Sequence, residues 1–367
     1  MDSKLNANKL KNAQKALLSW YAKQGRHHLP WRDRLAPNRP YCVLISEMML
    51  QQTQVKTVLE RFYFPFLQRF PNLQALSKAD ITEVLHAWQG LGYYSRARNL
   101  HKLAQICIHH LNNATRYTNL HKDSKNNLAL ISYENPLPCD IHLLRQLPGI
   151  GAYTAGAIAC FGFDLPVSFV DSNIKRILLR LFALHSATPS ILESKAKLIL
   201  NPKDAFNHNQ ALLDLGALIC LPKSPKCEIC PLNNLCLGKE NWQTFTQTKQ
   251  TKTIKQTLHF GIFIQDSKIA LLKSQDKLYF GLYNFPQIPP PIIEVSQKIG
   301  GSKHSYTKYN LKIEIYLCPF ECLDSLLNNN SLINDSLEFF TQTSLQSLPL
   351  SALSLKILNL LHTKGLF

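Results

Sequence analysis

Four cysteines lie within seventeen residues, in the order Cys220-x6-Cys227-x2-Cys230-x5-Cys236. Thiolates packed this closely are typical of soft metal centres, either zinc or an iron–sulfur cluster. A disulfide scaffold is not favoured, since ten cysteines in 367 residues are sparse and no secretory segment is recognised ahead of them. One CxxC pair with a single cysteine on each side favours a compact [4Fe–4S] cluster, because zinc usually takes two CxxC pairs.

The composition predicts a globular protein with a basic surface. Hydrophobic residues make up 45% of the 367 residues, enough for two domains with proper cores. Lys and Arg number 41 against 24 Asp and Glu, a net charge of +17. This excess favours a polyanionic partner, nucleic acid first, with a merely solvated basic surface as the alternative. No apolar run approaches the roughly 18 residues of a membrane span, so we expect a cytoplasmic protein.

The sequence predicts two parts of different secondary structure. Apolar residues recur at helical spacing over residues 10–235, without alternating patterns, which indicates an all-α part. The spacing is clearest over residues 44–59, 82–89, 95–110, 152–161, 174–182 and 209–219. Residues 112–138 are polar and are expected to form a long surface loop, and residues 241–256 a Thr/Gln/Lys-rich linker. Strand-like runs and a closing helix then predict a small α+β part, over residues 258–264, 268–272, 311–317 and 351–361.

Residues 147–159 (LPGIGAYTAGAIA) contain a tight Gly-x-Gly turn that leads into a helix of small residues. Gly149 and Gly151 permit positive φ and leave backbone N–H groups open at a helix N-terminus, which suits a phosphate. An ordinary helix–turn–helix corner is the alternative. Together with the net charge, the turn indicates a helical DNA-binding protein with a metal cluster.

The same turn resembles the helix-hairpin-helix motif of base-excision DNA glycosylases. The cysteine spacing resembles the [4Fe–4S] loop of their endonuclease III and MutY branch. Five further segments resemble the adenine glycosylases of that branch: 29–32 (LPWR), 46–55 (SEMMLQQTQV), 90–98 (GLGYYSRAR), 171–176 (DSNIKR) and 206–220 (FNHNQALLDLGALIC). The resemblance implies an all-α glycosylase domain over residues 1–240. Within it lie a helix-hairpin-helix at about 143–163 and a cluster loop at 220–236.

Two carboxylates are the candidate catalytic groups. Cleavage of an N-glycosidic bond requires a proton for the departing base and negative charge beneath an oxocarbenium-like sugar. Glu47 lies in a largely apolar helix, where burial should raise its pKa and let it act as general acid. By resemblance Asp171 stabilises the sugar cation, and Tyr153 and Asn173 hydrogen-bond the carboxylates. Taken singly, Glu47 would suit a solvated helix face and Asp171 an N-cap.

Tyr153 also distinguishes branches of the superfamily. Bifunctional relatives carry at this position a Lys that forms a Schiff base with the sugar, which a phenol cannot do. We therefore expect a monofunctional enzyme. The resemblance implies that it removes adenine from A:8-oxoguanine or A:G mispairs in duplex DNA. We also expect it to be monomeric and nucleoid-associated. Lys175 is a candidate for weak imine formation. The alternatives are an endonuclease III-like oxidised-pyrimidine glycosylase with lyase activity, and a non-catalytic iron–sulfur DNA-binding module.

Removing a base from duplex DNA requires its extrusion and side chains that fill the gap. By resemblance, Gln52 and Tyr93 act as wedges around the lesion with Gln51 beside them. The same resemblance assigns Trp31 and Gln210 to the adenine pocket, and Arg96 is a candidate phosphate contact. Without the resemblance, these residues would suit a helix surface, a surface charge or an ordinary core.

The C-terminal part, residues 257–367, resembles a Nudix-like 8-oxoguanine-sensing domain through residues 281–286 (GLYNFP) and 303–309 (KHSYTKY). It lacks the acidic Nudix hydrolase box, so pyrophosphatase activity is not expected. The family's Phe-Ser-His lesion triplet reads Tyr306-Thr307-Lys308 in this chain, and a plain structural hairpin is the alternative. The usual Asp-Gly-Asn reads Asp171-Ser172-Asn173.

Overall fold

The computed structural model describes residues 7–118, 136–245, 253–276, 279–306, 309–328 and 337–367. The chain divides into two compact units. The first comprises Met1–Ser77 and Lys102–Lys249, and the second Lys78–His101 and Gln250–Phe367. The sequence predicts the division near residues 241–256 but gives no sign that residues 78–101 join the C-terminal part. The domain limits expected from the family stay a prediction.

The described residues between 7 and 245 form helices and short turns, which confirms the all-α prediction. The helices are α1 (Ala7–Gln24), α2 (Arg39–Leu50), α3 (Val55–Arg61), α4 (Tyr63–Arg69), α5 (Leu73–Lys78), α6 (Ile81–Ala87), α7 (Ser95–Thr118), α8 (Ile141–Gln146), α9 (Ala152–Ala157), α10 (Ser172–Leu181), α11 (Pro189–Ile199) and α12 (Ala205–Leu218). A π-helical turn, Ile158–Gly162, continues α9. Among the described helices, none combines the length and the apolar character needed to cross a bilayer.

Side-chain caps explain where several helices begin. Asp140 accepts hydrogen bonds from the first turn of α8, and Thr188 does the same for α11. Asp204 caps α12 and Asp171 caps α10. Each cap satisfies backbone N–H groups that have no partner inside the helix, so these polar residues fix the helix starts.

The residues at helical spacing over 44–59 lie on two helices. Helix α2 ends at Leu50 and α3 begins at Val55. Between them Gln52 takes a φ of 59°, in the left-handed region. A non-glycine residue in that conformation ends a helix, and periodicity alone gives no sign of it.

Two predicted boundaries also move. Helix α7 continues to Thr118, into the 112–138 segment predicted as a loop. The remainder of that segment up to residue 135 lies outside the described residues. The first strand starts at Ile254, inside the predicted linker, because its backbone already pairs with Tyr309 there.

The C-terminal part of the second unit contains strands and helices, as predicted. The strands are β1 (Ile254–Ile262), β2 (Ile264–Gln265), β3 (Lys268–Lys273), β4 (Tyr283–Asn284), β5 (Gln297–Tyr306), β6 (Tyr309–Leu317) and β7 (Leu337–Phe340). One sheet has the order β1-β6-β5, with β1 parallel and β5 antiparallel to β6. The other has the order β2-β3-β4, and β7 pairs with β3. The helices are α13 (Pro290–Glu294), α14 (Cys322–Asn328), α15 (Gln342–Leu345) and α16 (Ala352–Thr363).

Hydrogen bonds explain why residues 78–101 belong to the second unit. The Tyr94 hydroxyl donates to the carbonyl of Leu350 at 3.2 Å, and the Leu350 N–H donates to Gln89 Oε1 at 2.8 Å. The Arg98 guanidinium donates to the carbonyl of Phe280 at 2.9 Å and lies over its ring. These bonds join segments far apart in sequence, so local pattern could not reveal them.

Candidate active site and cysteine centre

Glu47 is a buried carboxyl on α2. Only 6% of its surface is exposed. Burial raises its pKa to about 7; the hydrogen bond from Tyr153 opposes this rise, the charge of Asp171 adds to it and Arg32 opposes it. A carboxyl with a pKa near 7 is partly protonated at neutral pH and can therefore donate a proton.

Asp171 is held at the start of α10. One carboxyl oxygen accepts the Ile174 N–H at 2.6 Å and the other accepts Asn173 Nδ2 at 3.1 Å. Burial raises the pKa of Asp171 above its ordinary value, and the bonds from Ile174 and Asn173 moderate the rise. The N-cap interpretation therefore holds, and the same bonds orient the carboxylate and favour its charged form.

Tyr153, on α9, interacts with both carboxyls. Its hydroxyl hydrogen-bonds the Glu47 side chain, and burial followed by the charges of Glu47 and Asp171 raises its pKa well above 10. It is therefore a neutral phenol that donates a hydrogen bond. Tyr153, Asp171 and Lys175 line a cavity of about 720 Å³ between the hairpin turn and α11. Residues distant in sequence thus interact at one place, where Tyr153 and Asp171 border an open cavity and Glu47 is buried behind them.

Arg176 ties this group to the rest of the first unit. Its guanidinium donates to Asn173 Oδ1 at 2.9 Å, to the carbonyl of Gly216 at 2.7 Å and to the carbonyl of Cys220 at 2.8 Å. A Cβ on Gly216 would lie 2.5 Å from the Asn173 Cβ, so glycine permits this approach. The backbone at Cys220 and the amide beside Asp171 are therefore connected through one side chain.

Asp214 is a site residue that the sequence analysis missed. It is fully buried on α12, and its carboxylate accepts two hydrogen bonds from Arg32, at 2.7 and 2.8 Å, and one from Arg26 Nε at 2.7 Å. Burial acts to raise its pKa, but the bonds and charges of Arg32 and Arg26 hold that pKa below its ordinary value. The sequence did contain a signal for Asp214: it is a single acidic residue in an apolar helix, one turn after Gln210.

The two predicted adenine-pocket residues are both buried. Trp31 is 6% exposed and packs edge-on against Tyr63, with the ring centroids 5.1 Å apart. Gln210 is 3% exposed on α12. Trp31 precedes Arg32, and Gln210 lies on the same face of α12 as Asp214, so the Arg32–Asp214 pair links the two segments.

The two predicted wedge residues adopt strained backbone conformations. Gln52 has a φ of 59° and Tyr93 a φ of 49°, and both side chains are exposed. Left-handed backbone at non-glycine residues is uncommon and is concentrated at functional sites. Gln51 is half-buried and its amide contacts Met48 Sδ at 3.6 Å, so it faces back onto α2.

Arg96, predicted to contact a phosphate, is only 5% exposed. Its guanidinium donates to the carbonyl of Gly92 at 2.9 Å and lies over the rings of Trp88 and Tyr93. Burial also lowers its pKa to about 10. In this structure the charge of Arg96 supports the loop that carries Tyr93 and is not open to solvent.

The hairpin turn is open, as its sequence predicts. Gly149 has a φ of 78°, a conformation that disfavours other residues. Gly151 is exposed, and a Cβ built on it would meet no atom within 4 Å. Of the predicted lesion residues, Tyr306 ends β5 with only its backbone described, and Thr307 and Lys308 lie outside the described residues.

The four predicted cysteine ligands line one cavity together with Arg180 and Trp242. Arg180 is buried, donates to Cys220 Sγ at 3.3 Å and to the carbonyl of Leu221 at 2.7 Å, and lies over Trp242. Within the described ranges, no group of three or more Cys, His, Asp or Glu side chains is arranged so that it could hold a single metal ion. Four thiols that surround one cavity beside a buried cation fit an anionic, thiolate-bound iron–sulfur cluster.

Comparison with known proteins agrees with this geometry. The family model described as HhH-GPD superfamily base excision DNA repair protein matches residues 45–202. The iron-sulfur binding domain of endonuclease III matches residues 220–236. Among solved structures, a thermostable thymine-DNA glycosylase aligns with a TM-score of 0.53 and 25% identity, over 64% of this chain and 97% of that one. An endonuclease III–DNA complex shares the fold with a TM-score of 0.50 at 18% identity, over 64% and 97%.

Fold and site together define a helix-hairpin-helix DNA glycosylase of base excision repair that carries a [4Fe–4S] cluster. A Buchnera aphidicola (subsp. Baizongia pistaciae) adenine DNA glycosylase is 37% identical over 74% of this chain and 72% of its own. The human adenine DNA glycosylase is 37% identical over 61% of this chain and 39% of its own. The chain belongs to the adenine DNA glycosylase family.

Proposed function

We propose that this chain hydrolyses the N-glycosidic bond of adenine mispaired with 8-oxoguanine or guanine in duplex DNA and leaves an abasic site. The observation that carries the proposal is a buried Glu47, with a pKa of about 7, that is hydrogen-bonded to Tyr153 and interacts electrostatically with Asp171. A proton donor and a nearby anion are the two groups that glycoside cleavage requires.

In the first step, protonated Glu47 donates its proton to N7 of the extruded adenine. This weakens the bond from the base to C1′ and turns the base into a better leaving group. As positive charge develops on the sugar, the Asp171 carboxylate stabilises it, because Asn173 and the Ile174 N–H favour the charged form. Asp171 either attacks C1′ as a nucleophile or stabilises the positive charge of the sugar electrostatically.

In the second step, water attacks C1′ and the Glu47 carboxylate accepts its proton, which returns both carboxyls to their starting states. Tyr153 remains neutral throughout, since its pKa lies well above 10. A neutral phenol forms no Schiff base with the sugar, so Tyr153 does not cause strand cleavage.

The four cysteines hold the [4Fe–4S] cluster. Because hydrolysis transfers no electrons, the role of the cluster is structural: it shapes the loop over residues 220–236. Arg180 supplies a buried positive charge beside Cys220. Arg176 connects the backbone of that loop to Asn173, so the loop contributes to the position of the catalytic amide.

Lesion recognition is assigned to three further places. Gln52 and Tyr93, in their strained conformations, fill the gap that the extruded base leaves. The C-terminal part acts as a Nudix-like domain that contacts 8-oxoguanine through residues 306–308. The hairpin turn at Gly149 and Gly151 contacts a phosphate. A monomeric, cytoplasmic protein at the nucleoid remains the expectation.

The test compares wild-type protein with Glu47→Gln and Asp171→Asn on duplexes that contain A:8-oxoguanine, A:G or thymine glycol. We expect wild-type protein to release adenine, with strand breaks visible only after alkali. Each substitution should lower the single-turnover rate by about 10³-fold, the range of a positioned acid or anion. Binding to the same duplex, measured by fluorescence anisotropy, should persist in both variants.

Two outcomes would contradict the proposal. Cleavage of the thymine-glycol duplex without alkali would favour an endonuclease III-like lyase. No base release by wild-type protein, with both substitutions silent, would favour a non-catalytic DNA-binding module. The absorbance near 400 nm that iron–sulfur thiolates give serves as the control that each variant retains its cluster.

A further inference from the structure

Residues 88–94, which carry Tyr93, form a strained loop that we call the wedge loop. Three of its residues have positive φ: Gly90 at 94°, Gly92 at 77° and Tyr93 at 49°. Glycine adopts this conformation freely, but a tyrosine keeps it only where the surrounding structure holds it there. The Tyr93 side chain is exposed, so its own packing supplies little of that support. The wedge loop therefore depends on contacts made by its other residues.

Some of these contacts lie within the same stretch of chain. Trp88 Nε1 donates a hydrogen bond to the carbonyl of Gly92 at 3.2 Å, and the Arg96 guanidinium donates to the same carbonyl at 2.9 Å. Because these residues are close in sequence, their bonds shape the wedge loop but move together with it. They do not fix its position on the rest of the second unit.

The backbone of Leu350 holds the wedge loop from a distant segment. The Leu350 N–H donates to Gln89 Oε1 at 2.8 Å, and the Leu350 carbonyl accepts the Tyr94 hydroxyl at 3.2 Å. The same Tyr94 oxygen accepts the N–H of Gly90 at 3.2 Å. Two side chains of the wedge loop thus bind both backbone groups of one residue, and one of them also binds the loop's own backbone.

Leu350 is itself fixed in the core of the C-terminal part. It is 2% exposed and forms a parallel bridge with Tyr283 of β4. The Tyr283 N–H donates to the carbonyl of Pro349 at 2.9 Å, and the Ser351 N–H donates to the carbonyl of Tyr283 at 3.3 Å. Ser351 then caps α16. The wedge loop is therefore attached to backbone that a sheet and a helix hold on either side.

Both attachments are shielded from solvent. Tyr94 is 4% exposed and Gln89 is half-buried. Burial raises the pKa of Tyr94, so its hydroxyl stays protonated and remains a donor. Removal of one partner from a buried hydrogen bond leaves the other partner unsatisfied, which costs more than the same loss at an exposed site. Loss of either side chain should therefore displace the wedge loop.

We infer that Gln89 and Tyr94 are positioning residues for the Tyr93 wedge, which they hold in register with the backbone of Leu350. The inference rests on the proposed function, in which Tyr93 fills the gap left by the extruded adenine. Neither positioning residue needs to touch DNA. Each acts through the backbone of the wedge loop, so the C-terminal part sets where the wedge side chain lies.

The test measures base extrusion in the full-length protein with its cluster. The duplex contains A:8-oxoguanine and carries 2-aminopurine next to the target adenine, because 2-aminopurine fluorescence rises when its neighbour leaves the stack. The main variant is Tyr94→Phe, which removes the hydroxyl and keeps the ring. The matched control is Tyr283→Phe, since Tyr283 is 6% exposed in the same unit and its hydroxyl donates to Glu338 at 3.1 Å, outside the wedge loop.

We expect Tyr94→Phe to lower the equilibrium constant for extrusion by about tenfold, the effect of one hydrogen bond of ordinary strength. Tyr283→Phe should stay within about twofold of wild type, although urea denaturation should show similar losses of stability in the two variants. In a Tyr93→Ala background, Tyr94→Phe should have no further effect on extrusion, because no wedge remains to be positioned.

Gln89 provides a second comparison that does not depend on Tyr94. Gln89→Met keeps the length of the side chain and removes the acceptor, whereas Gln89→Glu keeps an oxygen that can accept the Leu350 N–H. The Met variant should lose about tenfold in the extrusion constant, and the Glu variant should retain most of it. Equal losses in the two variants would contradict a role through this hydrogen bond.

Equal extrusion by Tyr94→Phe and Tyr283→Phe would overturn the inference. An additive effect of Tyr94→Phe in the Tyr93→Ala background would do the same, and so would wild-type extrusion by Tyr93→Ala alone. Adenine release is measured separately. A wild-type protein that extrudes the base and releases no adenine would reject the proposed chemistry, while the fluorescence series would still decide the inference. A wild-type protein that extrudes no base would reject both.

Discussion

Glu47 and Asp214 are buried carboxyls of the same unit, and their pKa values move in opposite directions. Burial raises the pKa of Glu47 to about 7. Asp214 is also fully buried, yet Arg32 and Arg26 hold its pKa below the ordinary value. The same desolvation therefore has opposite net results, according to whether a cation is hydrogen-bonded to the carboxylate.

This contrast separates a proton carrier from a structural anion. Glu47 has a neutral phenol as its hydrogen-bonding partner, so it can gain and lose a proton near neutral pH. Asp214 is the shared counter-ion of two arginines and stays charged. Its pair with Arg32 fixes the segment that carries Trp31 against α12. Three predictions test the contrast.

The largest effect is expected from Asp214→Asn. The substitution leaves the buried Arg32 charge without its counter-ion, which typically costs 3–5 kcal/mol. Urea denaturation at pH 7 should therefore show a free energy of unfolding lower by about that amount. The matched control is Asp164→Asn, since Asp164 also pairs with two arginines, Arg34 and Arg39, but its side chain is 38% exposed.

Asp164→Asn should change the free energy of unfolding by no more than about 1 kcal/mol, as exposed ion pairs contribute little. Equal losses in the two variants would mean that burial does not distinguish the two carboxylates.

The next effect is a stability gain from Glu47→Gln that depends on pH. The folded-state pKa of Glu47 is raised from 4.5 to about 7, so its carboxyl favours folding at low pH and disfavours it once ionised. The gain should be small below pH 4.5, should grow between pH 4.5 and about 7, and should level off above 7. A shift of this size corresponds to roughly 3 kcal/mol at pH 9, measured by urea denaturation. A gain independent of pH would contradict the raised pKa.

The smallest effect is the pH dependence of the wild-type reaction. Glu47 must be protonated to act as acid, so the single-turnover rate should fall about tenfold per pH unit above 7. On the acid side, the rate should fall as Asp171 is protonated, in a range above its ordinary pKa because burial raises it. A flat profile between pH 7 and 9 at saturating protein would remove Glu47 from the acid role.

Much of the fold could be predicted because short-range chemistry controls it. Apolar spacing predicts the helices around α6, α10 and α12, a strand-like apolar run predicts β3, and clean alternation predicts β6. Apolar spacing does not reveal the break between Leu50 and Val55, where the strained Gln52 ends the helix. Helix α11, which has its own cap and lines the cavity beside Asp171, was also not predicted.

The sequence by itself determined the cysteine centre and the glycine turn, because each depends on residue type and spacing along the chain, whereas the two candidate carboxyls were identified through the resemblance of the segments around them. Only the tertiary structure decided which carboxyl is paired, that Arg96 turns inward, and that Gln89 and Tyr94 bind the backbone of Leu350. These properties depend on burial and on neighbours from distant segments. Desolvation and charge pairing act through space, so they cannot be inferred from the order of residues along the chain.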